Sequence, residues 1–351
     1  MLNKTIRIFS CDDSHARDWN AYVQGHPDGN AFHWYGWYAV YQGAFNFQSI
    51  FLAAVNSSGE WCGILPLMLM RDFLGRKFLT SLPFSSYAGL LCSSSEAENA
   101  LIDKAKILVK ELNCVYLELR QDKKLEQLLT TRDGFVTMLL ETDRSEQDIW
   151  KTSLKAKTRN QVRKAHASGL RVVWSKEHLD QFYDIFSLNM KRLGTPVFPR
   201  CFFSLIFAEL TEHLGLLTIW HDDTLVAGMI LLAGTQGISF PWAASLMEHK
   251  HLCPNNMLYW EAIRHASEGP YSYIDMGRST PGTGPHLFKQ QWGAIEQRLF
   301  YQYYYSGSDS TAVNLSNARG KYGLAIATWK KLPLFITRFL GPYVVRHLPD
   351  L

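Results

Sequence analysis

Two stretches of the chain set out apolar residues in the same order. FLAAVNSSGEWCGILPLMLMR (51–71) is two apolar runs around a polar Asn56-Ser-Ser-Gly59 turn, which predicts a β-hairpin. LTSLPFSSYAGLLC (79–92) follows, then a span from about 97 to 112 with Leu101, Ala105, Leu108 and Leu112 on one face, and then VYLELR (115–120). The 3.6-residue period predicts a helix and the short run after it a strand. Further on, LLTIWHDDTLVAGMILLAGTQ (216–236), ISFPWAASL (238–246), a helix over about 256–268 and YSYIDMGR (271–278) repeat the series.

Landmarks recur with it. Gly63 matches Gly228 at a spacing of 165, Pro83-Phe84 matches Pro241-Trp242 at 158, and Tyr116-x-Glu118 matches Tyr273-x-Asp275 at 157. A shift this steady over four elements indicates a tandem duplication. The expected fold is α/β with mixed (α+β) sheets, strands in the order β-β-β-α-β in each of two domains. The expected boundaries are 1–150, 151–310 opening with a basic helix, and a tail of 311–351. A duplicated pair is also expected to form a pocket at its seam.

Between the copies, residues 148–167 predict a basic helix, and 177–192 an amphipathic one through Leu179, Phe182, Phe186 and Met190. The LGTPVFP turn (193–199) stops it, because proline cannot continue a helix. The aromatic-rich run at 29–45 is expected to be mostly core.

The net charge of +4 is unevenly spread. Residues 151–171 carry seven Lys/Arg and no acid, while 311–351 carry six against Asp350. Concentrated basic charge points at an anionic partner. Six scattered cysteines without a framework spacing suit a reducing compartment. With no signal-peptide core and no apolar run of spanning length, the expectation is a cytoplasmic protein that does not cross the membrane.

Candidate chemistry lies in three places. Lys155, Arg159 and Arg163 recur at i+4 without an interleaved acid, so phosphate binding is favoured over a merely solvated face. In YIDMGRSTPGTGPHLFKQQWGA (273–294), glycines allow a tight turn between Arg278 and Lys289. Such a turn suits a diphosphate or a developing oxyanion, or is only a surface loop. Asp275 reads either as a general base or as a structural partner of Arg120 or Arg278. Thr283 stands where a Walker loop needs lysine, and no dinucleotide fingerprint is completed. His249, His251 and Cys253 alternate, but as period-2 ligands on one strand they supply only three, so no metal is expected. The tail, 322–348, reads as an interfacial segment lying on an anionic membrane or as a helix pair docked on the core.

These blocks carry a resemblance. Phe32-His33 with Trp37, GILPL (63–67), SLPF (81–84), YLELR (116–120), TRNQVRKA (158–165), LGTPV (193–197), PWAAS (241–245), NNMLYW (255–260) and DMGRSTPGTGPHLFKQQWGA (275–294) span nearly the whole chain. Together they resemble the FemAB-like branch of the GNAT acyltransferase superfamily, in particular the FemAB-related proteins of exosortase/PEP-CTERM exopolysaccharide systems. The resemblance implies two GNAT-like domains and non-covalent acyl or aminoacyl transfer. The family's donor is aminoacyl-tRNA and its acceptor a cell-wall precursor. Phe288-Lys289 falls where the family carries an F-K pair, which implies that Lys289 steadies phosphate or transition-state charge. The loop after Arg278 departs from the GNAT pyrophosphate pattern, and no heptad-rich arm of the tRNA-using type is present.

The expected function is acyl or aminoacyl transfer to an amine or hydroxyl of a cell-envelope or exopolysaccharide precursor. The acyl donor, acyl-CoA or aminoacyl-tRNA, is a substrate, and no tightly bound cofactor is expected. Lys289, Asp275 and Arg278 are the catalytic candidates. Arg159, Arg163, Lys164, Thr195, Trp242, Ser245, Tyr259, Phe288 and Trp292 are the substrate- or phosphate-binding candidates. The expected partners are the donor, a phosphorylated or lipid-linked glycan acceptor, and the inner face of the membrane through the tail. The rival reading is a non-catalytic protein binding such a glycan on the same scaffold.

Overall fold

The computed structural model describes residues 6–126, 130–307 and 318–348, without the side chains of 318–322. The chain divides into two compact units: 1–133 with 193–209 and 299–351, and 134–192 with 210–298. The first and last parts of the expected tail, 311–317 and 349–351, lie outside the described residues.

Unit 1 begins with β1 (Arg7–Ser10), α1 (Ala16–Gly25) and α2 (Trp37–Phe45). Then follow β2 (Gln48–Val55), β3 (Trp61–Arg71), β4 (Lys77–Ser81), β5 (Leu91–Cys92), α3 (Ser95–Glu111) and β6 (Cys114–Gln121). The hairpin and helix are where alternation and period place them. Helix α3 starts because the Ser94 side chain accepts from the Ala97 amide at 3.2 Å, with Glu96 and Glu98 favouring its positive end. Its buried face, Leu101, Ile102, Ala105 and Val109, packs on Leu52, Leu65, Leu79 and Leu117 of the sheet. In the 29–45 run, Phe32, Trp34, Tyr35, Trp37, Tyr41 and Phe45 are all buried, as expected of a core stripe.

In chain order β7 (Thr130–Glu141), α4 (Glu146–Asp148), α5 (Ala156–Ala167), β8 (Leu170–Trp174) and α6 (Leu179–Leu193) come next. Helix α7 (Arg200–Glu209) belongs to unit 1, and the chain then returns to unit 2 with β9 (Leu214–His221), β10 (Thr224–Ala233), β11 (Gly237–Ser245), α8 (Pro254–Glu268), β12 (Tyr273–Ser279) and α9 (Gly284–Gln290). The unit 2 sheet runs β7-β12-β11-β10-β9-β8, with β11 and β12 parallel and the other pairs antiparallel. Val162 and Ala165 of α5, with Leu258, Ala262 and Ile263 of α8, close its core on Met229, Ile238 and Ile274.

Strand β13 (Ile295–Tyr305) leaves unit 2 and completes the sheet of unit 1, pairing with β6 from Phe300 opposite Gln121 to Tyr305 opposite Tyr116. Conversely β7, which follows the first copy, pairs with β12. These units differ from the contiguous spans of 1–150 and 151–310. Each copy takes its last strand from beyond the other's repeat, which a search for repeats does not see. The signal was there: Leu299, Tyr301 and Tyr303 alternate and are buried.

Two landmark pairings shift: Pro83-Phe84 follow the end of β4 whereas Pro241-Trp242 lie inside β11, and the two glycines do not coincide. Thr80 faces Glu118 in the β4–β6 ladder and Ser239 faces Asp275 in the β11–β12 ladder, which superposes the Tyr-x-acid motifs. A Cβ at Gly63 would meet Leu101 of α3 at 2.9 Å, and one at Gly228 would meet Phe182 of α6 at 2.7 Å. The two glycines therefore serve different helices.

The tail forms α10 (Ala318–Lys331) and α11 (Leu334–Val345), docked within unit 1. A Cβ at Gly341 would come within 2.8 Å of the Val197 carbonyl, and Gly194, at φ +80°, has Ile326 at 2.6 Å from its Cβ position. No helix among the described residues is long and apolar enough to cross a membrane.

Candidate functional site

Strands β11 and β12 are paired only over Gly237–Ser239 and Tyr273–Asp275. Beyond that, β11 stays with β10 as far as Ser245, while β12 runs on to Ser279 beside β7. The parallel neighbours therefore part, and Asp275 stands where they do. Its carboxylate accepts from the Gly277 amide at 2.7 Å and from the Thr137 hydroxyl, and the residue is 1 % exposed. Gly277 sits at φ +80° in a bulge of the β12–β7 ladder, a conformation that glycine adopts without steric cost.

That bulge turns carbonyls toward Lys289. The Lys289 ammonium donates to Gly277 O at 2.8 Å, to Ser279 Oγ at 2.9 Å and to Arg278 O at 3.1 Å. An ammonium has three hydrogens, and here each has an internal acceptor. Burial pulls its pKa down from 10.5 to about 8, with Asp275 opposing the fall and Arg278 adding to it. Arg278 turns its guanidinium over the Phe135 ring at 4.7 Å. Arg278 thus lies on β12, and Lys289 of α9 folds its ammonium back onto that strand's carbonyls rather than standing at the far end of an open glycine loop. The loop is pinned by His286: its Nδ1 accepts from the Gly282 amide at 3.2 Å, so Nε2 carries the proton and donates to Glu296 at 2.8 Å.

Behind Lys289 stands an aromatic cluster. Tyr259 meets Phe288 edge-on at 5.0 Å, stacks on Trp292 at 5.7 Å and touches Phe240 at 5.5 Å. Burial pushes the Tyr259 hydroxyl up to about 12, so it stays protonated. The start of α5 is tied to the same segment, since the Gln291 carbonyl accepts from Lys155 N and Thr158 Oγ1, both at 3.1 Å. Gly293, at φ +84°, lets the chain pass Ser153, whose carbonyl would lie 2.7 Å from a Cβ there.

The structure brings Asp275, Arg278, Lys289, Tyr259, Phe288 and Trp292 together in unit 2 and seats the N-terminus of α5 beside them. The basic helix is not one piece. A π-turn over Ile149–Ser153 ends at Leu154, and α5 restarts after Lys155, its cap residue. The common face of Lys155, Arg159 and Arg163 is therefore divided. Arg159 turns back to cap the carbonyls of Trp150, at 3.4 Å, and Leu154, left over by that break. Arg163, over the Trp150 ring at 5.5 Å, and Lys164 remain exposed. Trp242 is buried opposite Ile230, Ser245 ends β11, and Thr195 belongs to unit 1. The His249-x-His251 segment is a 3₁₀ helix rather than a strand, so alternate residues do not share a face there, and no metal-binding cluster occurs among the described residues. Sequence reasoning missed Thr137, Ser279, His286 and Glu296. Thr137 lies 138 residues from Asp275, and only the crossing of β7 into unit 2 unites them.

Residues 152–290 match the acetyltransferase (GNAT) domain family, and no curated protein matches the chain. FemX is similar in structure, with a TM-score of 0.69 at 16 % identity over 91 % of this chain and 100 % of that one. So is the C-terminal domain of a putative lysylphosphatidylglycerol synthetase from Agrobacterium fabrum, at 0.60 and 11 % over 88 % of this chain and 95 % of that one. A tandem GNAT protein from the clavulanic acid biosynthesis pathway gives 0.56 and 11 % over 87 % of this chain and 100 % of that one. Residues 152–290 are thus similar to a GNAT acetyltransferase domain, and the chain around them has a fold shared with FemX and the tandem GNAT protein.

Proposed function

We propose that unit 2 is the transferring half and that the donor's reacting carbonyl lies where β11 and β12 part. The observation that carries this is the divergence of the two strands past Ser239 and Asp275, with the Lys289 ammonium seated on the carbonyls of β12. An acceptor nitrogen or oxygen attacks the carbonyl carbon and a new C–N or C–O bond forms. The C–S bond of a thioester, or the C–O bond of an aminoacyl ester, then breaks. The leaving sulfur or oxygen takes up the proton that the acceptor gives up.

Because its three hydrogens are already engaged, Lys289 acts through its charge. A fixed cation in a buried setting lowers the energy of a developing oxyanion or a donor phosphate. Asp275 serves by holding the Gly277 amide and so the angle of the carbonyls that grip Lys289. Orientation of the two substrates supplies much of the remaining acceleration. Exposed Arg163 and Lys164, with Lys155 and Lys157 at the start of α5, hold phosphate on the donor or acceptor.

The acceptor is an amine or hydroxyl on a phosphorylated or lipid-linked cell-envelope or exopolysaccharide precursor, and the donor acyl-CoA or aminoacyl-tRNA. The lysylphosphatidylglycerol synthetase domain among the structural neighbours supports an aminoacyl donor and an envelope acceptor. Six free cysteines support a cytoplasmic setting. The engaged hydrogens of Lys289 and the enclosure of Asp275 favour one rival, a binding protein on this scaffold without turnover.

Mass profiling of envelope polymers decides between them. A deletion strain should lack an acyl or aminoacyl mass that the wild-type gene restores and Lys289→Met does not. Unchanged polymers in the deletion strain, with a phosphorylated glycan bound by the purified chain, would establish the rival.

A further inference from the structure

Helix α11 is amphipathic in the reverse of the usual sense. Its buried stripe is Thr337, Gly341 and Val345, small side chains that let the helix lie against Val197. Its opposite stripe, again at i, i+4 and i+8, is Phe335, Phe339 and Tyr343, exposed by 72 %, 68 % and 54 %, with Leu340 beside them. The aromatic face is the one turned outward.

A second apolar element adjoins it. The β3–β4 turn is held by the Asp72 carboxylate, which accepts from Leu74 N at 2.9 Å and Arg76 N at 3.0 Å, with Gly75 at φ +77°. This rigid turn presents Phe73 and Leu74 at its tip, 60 % and 79 % exposed. The tip is joined to the tail: His347 lies 2.8 Å from Arg71 O, its ring contacts Phe73 at 4.9 Å, and Arg346 reaches from His347 to the Tyr343 face at 5.8 Å.

We propose that unit 1 docks on an anionic membrane surface through this composite patch, α11 lying flat and the Phe73-Leu74 tip inserted beside it. Charge selects the occupant. Residues 318–348 contain no Asp or Glu; Lys330, Lys331 and Arg71 are exposed, and Arg338 and Arg346 lie on α11 and just after it. Asp72, the acid of the turn, is engaged by Arg76 at 2.7 Å. Exposed apolar side chains on a segment that carries only cations fit the boundary between anionic headgroups and acyl chains. A protein partner would leave the uniform sign of charge along 318–348 unexplained. The inference holds whatever group unit 2 transfers.

The test is flotation of the full-length protein with vesicles of equimolar phosphatidylglycerol and phosphatidylcholine, against phosphatidylcholine alone. Wild type should float with the anionic vesicles and bind the neutral ones roughly tenfold less or weaker still. Phe335→Ser/Phe339→Ser and, independently, Phe73→Ser/Leu74→Ser should each weaken binding roughly tenfold. Both pairs are solvent-facing, so circular dichroism should show an unchanged fold. Absence of wild-type binding to either vesicle would overturn the proposal, as would full binding by either double variant. A wild-type dimer that either double variant makes monomeric would instead assign the patch to a second copy.

Discussion

Strand β6 of unit 1 and strand β12 of unit 2 are the same strand built twice, and they solve the same problem differently. Each carries Tyr-x-acid and pairs in parallel with its neighbour through that acid. Glu118 is answered within its own strand by Arg120, at 2.8 Å and with both side chains fully buried. In unit 1 the chain then folds back over the strand end: Ala88 N donates to Arg120 O, Arg120 to Ser85 O, and Tyr301 to Ser86 O. In unit 2 the position of Arg120 is taken by Gly277, the cation comes from α9 as Lys289, and β11 runs on in its ladder to Ser245. On the reading proposed for unit 2, the difference marks the copy that transfers. One copy of the parting is plugged with protein and a sealed ion pair, whereas the other exchanges that guanidinium for a bulge and a cation of lowered pKa.

The comparison breaks most visibly at Arg120. Arg120→Met leaves Glu118 buried without its guanidinium, which should cost about 3–5 kcal/mol in urea unfolding. The double variant Glu118→Leu/Arg120→Met should return most of that loss, because an apolar pair of similar volume needs no solvation. If the single variant is as stable as wild type, the ion pair is not what holds unit 1's strand end.

At the corresponding place in unit 2 the main effect should fall on turnover. Lys289→Met should lower kcat/KM about a hundredfold, the usual effect of removing one transition-state partner. Its pH behaviour separates charge from base catalysis. With a folded pKa near 8 against 10.5 ordinarily, folding disfavours the ammonium. This destabilisation is fully present below pH 8 and disappears as pH rises to 10.5. Wild type should therefore gain up to about 3 kcal/mol of stability relative to Lys289→Met across that window. In activity, wild type should decline above pH 8 and the variant should show no such limb. A rise through pH 8 that the variant lacks would make Lys289 a base instead.

Gly277→Ala tests the bulge. A side chain at φ +80° should cost about 1–2 kcal/mol. It should also lower kcat more than it raises KM, since the Gly277 and Arg278 carbonyls would swing from Lys289. Arg120→Gly, the reciprocal change, should create no activity in unit 1, because residues 82–90 still cover β6.

Period and landmarks made the two sheets legible, down to the register of Tyr116-x-Glu118 on Tyr273-x-Asp275, because a duplicated sheet repeats its alternation. Phe288, Trp292 and Lys289 could be picked out because glycines and cations gather in one stretch. Two things were not legible. The exchange of β7 and β13 depends on pairing between distant strands, which local pattern does not encode, and it carries Thr137 to Asp275. The break at Leu154 was hidden because a single π-turn is too short for its apolar positions, Ile149, Trp150 and Leu154, to show a period of their own, so Arg159 looked like one of three outward cations.

That break supplies the smallest effect and the sharpest check on the phosphate reading. Arg163 keeps an outward guanidinium on the Trp150 face, and Arg159 spends its hydrogens on backbone carbonyls. Arg163→Ala removes an exposed cation–π contact, so its stability cost should be only about 0.5–1 kcal/mol in urea unfolding. If α5 holds phosphate, the same change should raise the KM of the phosphorylated substrate severalfold with kcat preserved, and more so at low salt. Arg159→Ala should do the reverse, loosening the joint at Leu154 and lowering stability with little change in the salt dependence of KM. Equal effects of the two on KM would mean that the break does not divide the helix's cations by role, and that the undivided basic face describes this segment better.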